Sequence, residues 1–516
     1  MLQFADLRIS DNTQPILGAT ICVGIIGVIV WAYLRKSDSR LPLPPSPPTW
    51  RLRGHFLPPR NTSLTVARWI DEHGPLVTIR SGIQTTVIIG RHKAAVDIME
   101  KQGRMLADRP RLVAGDIFSR GLSLVLLDAG DRCRRMRRAL HTHLQPKSAE
   151  AYQPLQMSQA KTAILGILDD PHNFQSHLIT YAAATIMKVT YGKTTPTSAT
   201  DPEVREAYQI LERFRSILRP GAYLVESIPW LKYLPWYAPE LKDQFKRNRR
   251  LYTNQLNRVK LHMQSNVNTG PSFSKYILEN GHLYGLTEIE MAFLAGALFG
   301  AGTETTAVAI GKVLMAAAQF PEEQAKVQAE LDAFCQLNDF SAKAPTFADK
   351  PSLPRLDAFI SEALRWRPSE GGPPTGIPHR TIEDVIWENY CIPAGTTVIG
   401  NHWAISRDPE VYPEPDAFKP QRWIDDQGRL RDDLTFFVFG FGRRVCPGQH
   451  VASRSIFINS LLILWAFRLS LDPTKPQDDM GFMTAMMPDV PCAIEFQTRV
   501  PEVELRRMMQ KDPESG

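Results

Sequence analysis

The segment Phe439-Gly-Phe-Gly-Arg-Arg-Val-Cys-Pro-Gly448 sets one cysteine in a glycine-dense turn, just ahead of a helical pattern running from Val451. Glycine takes positive φ and lets the backbone approach a flat ligand closely. Amide groups aimed at the sulfur, with a helix N-terminus behind it, favour thiolate over thiol. That pattern marks Cys446 as a ligand in preference to a core thiol, and a thiolate on iron donates electron density that promotes O–O cleavage. A second cluster, Ala301-Gly-Thr-Glu-Thr-Thr306, places small and polar residues where an apolar helix should carry Leu or Ile. Glu304 and Thr305 could handle protons there, or the cluster could simply kink the helix and bond its own carbonyls. A third feature, Glu362-Ala-Leu-Arg365, has the i, i+3 spacing that puts an acid and a base on one helical face.

These side chains need a scaffold. Between Gly285 and Phe320, Thr287 with Glu290 forms a capping box, apolar residues then dominate, and Pro321 stops the run. The pattern predicts one long buried helix, on the order of 50 Å, crossing the whole domain. Leu76 to Gly90 carries two β-rich runs around Ser81-Gly82, a predicted hairpin. Most of the remainder has helical periodicity, so the fold class is mainly α with small β-sheets.

Phe439-x-x-Gly442-x-Arg444-x-Cys446-x-Gly448 resembles the haem-binding signature of the cytochrome P-450 family at every specified position. The resemblance implies the cytochrome P-450 fold, with the long helix over a haem b. Cys446 would be the axial thiolate, Arg444 a propionate partner, and Phe439 a neighbour of the sulfur. Ala301-Gly302-x-Glu304-Thr305 is similar to the oxygen-activation motif of that family: Gly302 would leave room for dioxygen, while Glu304 and Thr305 would order water and deliver protons. Glu362 and Arg365, with Arg422 from Phe418-Lys-Pro-Gln-Arg422-Trp, resemble the family's ion-pair network, structural in role. Arg137 and His379 resemble further propionate contacts. Cys133 stands where the family commonly has Trp, four residues before Arg137; a thiol replaces an indole N–H poorly as a donor.

The activity implied is insertion of one oxygen atom from O2 into a lipophilic small molecule, with electrons from NADPH through a separate flavoprotein reductase. No flavin- or nicotinamide-binding fingerprint follows the haem region, and Arg132 to Arg138 with Arg443 and Arg444 would steer an acidic reductase. Substrate-contact candidates are Leu112 to Leu127, Leu224 to Tyr237, Phe299 and Met480 to Met487, and the texture resembles fungal microsomal members acting on terpenoids or other secondary metabolites. Rival readings are an isomerase, dehydratase or desaturase on the same fold, and a non-catalytic haem sensor. The intact Glu304-Thr305 pair argues against both.

Bulk properties fit a globular protein. Apolar residues make up 43% and charged residues 22% of 516, excluding disordered and collagen-like classes, and a net charge of +6 does not call for nucleic acid. Six scattered cysteines make no disulfide framework and no zinc spacing. Ile16 to Leu34 is an apolar run of membrane-spanning length followed by Arg35-Lys36, and Leu41-Pro-Leu-Pro-Pro-Ser-Pro-Pro48 cannot be helical. The expected organisation is a lumenal N-terminus (1–15), a transmembrane anchor (16–34), a basic and proline-rich stalk (35–49), one catalytic domain (50–505) and a polar tail (506–516). That arrangement implies a single-pass protein of the endoplasmic reticulum membrane with its catalytic domain in the cytoplasm.

Overall fold

A computed structural model of the chain describes residues 41–49 and 54–510 apart from short internal stretches, the longest being 336–343 and 370–375. The apolar run 16–34 lies outside the described residues except for four positions, so the anchor rests on the sequence alone.

The predicted hairpin forms: β1 (Leu76–Ser81) pairs antiparallel with β2 (Gln84–Ile89), Leu76 opposite Ile89 and Ser81 opposite Gln84, with Gly82 at φ +58° in the turn. Further along the chain come β3 (His379–Arg380), β4 (Val385–Trp387), β5 (Tyr390–Ile392) and β6 (Thr397–Gly400). β6 runs parallel to β2 and antiparallel to β3, completing a four-stranded sheet, while β4 and β5 form a separate ribbon. A second ribbon joins β7 (Phe467–Leu471) to β8 (Ile494–Thr498).

The proline-rich segment is not a free spacer. Proline has no N–H to give, but its carbonyls still accept: Pro45 O takes the Thr78 amide at 2.7 Å, Pro44 O the Thr78 hydroxyl at 2.8 Å, and Pro42 O the Cys391 amide at 2.9 Å. Pro44 and Pro47 are buried, so this stretch lies along the sheet as part of the domain. At the other end, the helix Glu502–Gln510 buries Leu505 and Met509, carrying order past residue 505.

Seven helices position the site: α1 (Asp131–Leu144), α2 (Gln153–Asp169), α3 (Phe174–Tyr191), α4 (Pro239–Gln264), α5 (Glu288–Gln319), α6 (Pro354–Trp366) and α7 (Gln449–Ala466). α5 has 32 residues, and the Thr287–Glu290 capping box is present at its start, with Arg132 of α1 donating to the same Glu290 carboxylate at 2.7 Å. Among the described residues α5 is the one helix long and apolar enough to cross a membrane, but its neighbours cover it and it is the spine of the core. Its first half packs in a hydrophobic cluster with α1 and α4, its second half in another with α2, α3, α6 and α7. Residues 300–306, between Phe299 and Ala307, belong to neither cluster.

Candidate functional site

That interruption is the first sign of a site. Ala301 and Thr305, one turn apart on α5, are exposed while Phe299, Thr303, Glu304 and Ala307 around them are buried, so one face of the helix is open here. The Thr305 hydroxyl donates to the Ala301 carbonyl at 2.8 Å. Glu304 sits about 100° round the helix, 1% exposed, and its carboxylate accepts the Met487 amide at 2.8 Å. The two members of the expected proton-relay pair therefore look in different directions: Thr305 to the opening, Glu304 to the C-terminal turn. Gly302 also departs from expectation. A Cβ there would come within 2.5 Å of Ile186, so this glycine lets α3 approach and does not widen the opening.

The cysteine turn has two strained-looking positions that glycine relieves. Gly440 and Gly442 have φ of +84° and +50°. At Gly442 a side chain would also strike the Met99 carbonyl, and its amide donates to Glu100 Oε1 at 2.9 Å. The close approach that requires this glycine is thus to the protein's own backbone. Gly442→Ala should cost about 1–2 kcal/mol from the left-handed conformation alone, with the collision added. Thermal denaturation checks this, and an unchanged Tm would refute the assignment.

Four residues on, the Cys446 amide donates to the Phe439 carbonyl at 2.9 Å, and Gly448 caps α7 beside the sulfur. Burial raises the Cys446 thiol above its ordinary pKa, while the Gly448 amide and the Arg137 charge pull the other way. Metal coordination would decide the balance, because a coordinated thiol loses its proton outright.

Beside this turn lies a group of cations. Arg444, buried, donates to Ala107 O at 2.6 Å, to Leu127 O at 2.7 Å and to the sulfur of Cys133 at 2.9 Å. Cys133 therefore helps orient Arg444, with only a weak S–H left as a donor. Arg137 donates to Val445 O at 2.9 Å. Sequence reasoning missed Arg109, which donates to Val125 O and Pro378 O at 3.0 and 2.6 Å. Burial, then the charges of Arg444 and Arg137, pushes Arg109 down to about 9, still protonated at neutral pH. Its neighbours Asp108 and Arg111 make it look like one of several ordinary charges ahead of the Leu112 segment, so no local signal singles it out. His379 is buried, with Nδ1 on the Leu106 carbonyl at 2.9 Å, and burial, then Arg109, depresses it to about 3. With Nδ1–H committed, His379 can donate to an anion through Nε2 only as imidazolium. Burial and Arg109 oppose that form, and a bound carboxylate would favour it.

Three mutually repelling guanidiniums held mostly by carbonyl oxygens, with Asp108 turned toward Arg380, fit a buried dianion. The two carboxylates of a haem would match that donor set.

Behind the turn, Glu362 of α6 accepts from Arg365 Nε and Nη2 at 2.8 Å each, Arg422 Nε at 3.2 Å, Trp423 Nε1 at 2.9 Å and the Lys419 amide at 2.8 Å. The structure brings all three expected members together and adds Trp423. Arg365 is fully buried and spans to the carbonyls of Ser406 and Pro415.

Of the substrate-contact candidates, Phe299 falls away: it is 0% exposed and packs edge-on to Tyr191, 5.9 Å between centroids. Residues 112–127 and 224–237 are joined, because both oxygens of Glu226 accept amides at the start of the short helix Val113–Ser119, Val113 at 3.1 Å and Ala114 at 2.7 Å. From the latter segment Leu224, Trp230, Tyr233 and Trp236 stand at least 60% exposed. The arginine run of α1 is less of a surface patch than its composition suggests. Arg132 and Arg135 clamp the start of α5 and Arg137 turns inward, leaving Arg134, Arg138 and Arg443 exposed.

Known proteins match this arrangement. A family model described as Cytochrome P450 fits residues 44–496. Cytochrome P450 monooxygenase 113 of Postia placenta is 44% identical, covering 94% of this chain and 97% of its own length. A cytochrome P450 monooxygenase of Armillaria gallica is 34% identical over 89% of each chain. A solved zebrafish cytochrome P450 structure with progesterone superposes with a TM-score of 0.67 over 86% of this chain and all of its own, at 24% identity. With the family model fitting residues 44–496, relatives matched along nearly the whole length and a mainly helical architecture shared with a solved member, the chain belongs to the cytochrome P450 family and is a monooxygenase.

Proposed function

We propose that this monooxygenase holds haem b through Cys446 and inserts one oxygen atom into a lipophilic small molecule of secondary-metabolite type, such as a terpenoid. The observation that supports this reading is the gathering of buried Arg109, Arg137 and Arg444 beside the cysteine turn, where Arg137 holds the Val445 carbonyl and acts on the Cys446 sulfur. When bound, the haem supplies dioxygen activation and the oxidising power; the protein supplies placement and protons.

In this reading Arg109, Arg137 and Arg444 hold the propionates, the Gly448 amide steadies the sulfur, and Phe439 presents the carbonyl that fixes the Cys446 backbone. Thr305 is the group placed to pass protons into the opening, since its hydroxyl is accessible there and can leave the Ala301 carbonyl. Glu304 acts from behind, holding the Met487 turn. Thr305→Ala should lower product formed per NADPH by up to about 10²-fold, the low end of what a positioned proton donor contributes, with hydrogen peroxide released instead. Unchanged coupling would assign proton delivery to another group.

Exposed Arg134, Arg138 and Arg443 provide the positive face for an NADPH-dependent flavoprotein reductase. The exposed Trp230, Tyr233 and Trp236 suit a bilayer interface, consistent with an anchor at residues 16–34 and a cytoplasmic domain on the endoplasmic reticulum membrane. The test is turnover with reductase, NADPH and isotopic dioxygen against a panel of lipophiles. Label in the product supports insertion, and conversion without label would make the chain an isomerase or desaturase.

A further inference from the structure

The segment that leads into the cysteine turn, Thr435 to Phe441, belongs to no strand and no helix. Local amides meet some of its carbonyls, the Gly440 amide donating to the Phe437 carbonyl at 3.1 Å, and two imidazoles add side-chain donors from outside the segment. His92 places Nε2 on the Thr435 carbonyl at 3.0 Å, where the Tyr412 hydroxyl also donates at 2.7 Å. His402 places Nε2 on the Phe437 carbonyl at 3.1 Å. Both rings also touch the segment's aromatic side chains: His92 lies 5.2 Å from Phe437, His402 lies 5.0 Å from Phe441, and Phe437 and Phe441 are 4.7 Å apart. Gly400, two residues before His402, is required for the same contact, because a Cβ there would meet the Phe441 ring at 2.6 Å.

His402 thus grips the segment at two points, the carbonyl of Phe437 and the ring of Phe441. Those points bracket Phe439, whose carbonyl receives the Cys446 amide. We propose that His402 is a positioning residue for the axial thiolate: its Nε2–H and its ring together fix the Phe437–Phe441 segment and so the place of the Cys446 sulfur. The ring is 8% exposed, and burial depresses it to about 4, so it stays neutral; because a carbonyl only accepts, the bond fixes the proton on Nε2. Phenylalanine would fill the same space and leave the Phe437 carbonyl without this donor.

The inference rests on Cys446 being the haem ligand, and the experiment separates the two. In the full-length, haem-loaded protein, the rate at which the reduced carbon-monoxide complex loses its thiolate-type Soret band in mild denaturant is compared with the rate of helix loss by circular dichroism. The ferric/ferrous midpoint potential is read alongside. His402→Phe should speed loss of the thiolate band by about tenfold while helix loss changes little, and should shift the potential; His402→Gln, which keeps an N–H at a similar reach, should restore both. If His402→Phe does not fold, His402→Asn, too short to reach the carbonyl, is judged by the same criterion. Equal acceleration of both rates, or no change in either, overturns the proposal. A wild-type protein with no thiolate band overturns the Cys446 reading instead.

Discussion

Cys446→Ala should abolish the thiolate-type Soret band of the reduced carbon-monoxide complex and take product formation below detection. Nothing else in the cysteine turn can replace the sulfur. The Gly448 N–H lies beside this side chain, and the Arg137 charge acts on it. Among the described residues no group of three or more His, Cys, Asp or Glu side chains is placed to hold a metal by other means. Loss of function should occur without unfolding, because Cys446 lies in a loop and its backbone anchor, amide to Phe439 carbonyl, does not use the side chain. Circular dichroism should therefore match wild type while the spectrum changes completely. A Cys446→Ala protein that kept a thiolate-type band would refute the ligand assignment.

The second large effect is on stability. Glu362→Ala should destabilise the fold by about 3–5 kcal/mol, the cost of removing one partner from a buried ion pair. The carboxylate is 0% exposed and its loss strands Arg365, also 0% exposed, along with the Trp423 indole and the Lys419 amide. Burial pushes the Glu362 carboxyl upward, but the Arg365 hydrogen bonds and charge, the Lys419 amide and Arg422 outweigh it, leaving the folded value below normal. A depressed folded pKa stabilises the native state above the unfolded value, about 4.3, and this contribution disappears as pH falls through the folded value. The gap in denaturation free energy between wild type and Glu362→Gln should accordingly be full near neutrality and narrow below about pH 4. A gap that stayed constant with pH would mean that Glu362 is not an ionised partner of Arg365.

Both predictions concern features that neighbouring residues largely encode. The glycine pattern around Cys446, the Thr287–Glu290 box, the Ser81-Gly82 turn and the Glu362–Arg365 spacing each depend on residues within a few positions of one another. Helical and strand periodicity and capping chemistry fix such features before any packing occurs. The long central helix and the hairpin were legible for the same reason.

What the sequence left open involves partners far apart along the chain. Glu304 and Thr305 are adjacent, yet helical geometry turns them apart, and the Met487 amide, 183 residues away, decides what Glu304 holds. Gly302 and Gly442 are needed for contacts with Ile186 and Met99 that only helix and loop packing creates. Arg109, Arg137 and Arg444 are unremarkable singly and become a cluster of neighbouring buried cations only on folding, with Cys133 aligning one of them across 311 positions. His402 likewise matters only because β6 delivers it under the cysteine turn. The sequence by itself determined the main elements and the reaction class, since these follow from local periodicity and short motifs. The tertiary structure decided which buried charges share a space and which side chain faces the opening, because only close packing of distant segments sets those distances and the desolvation that comes with them.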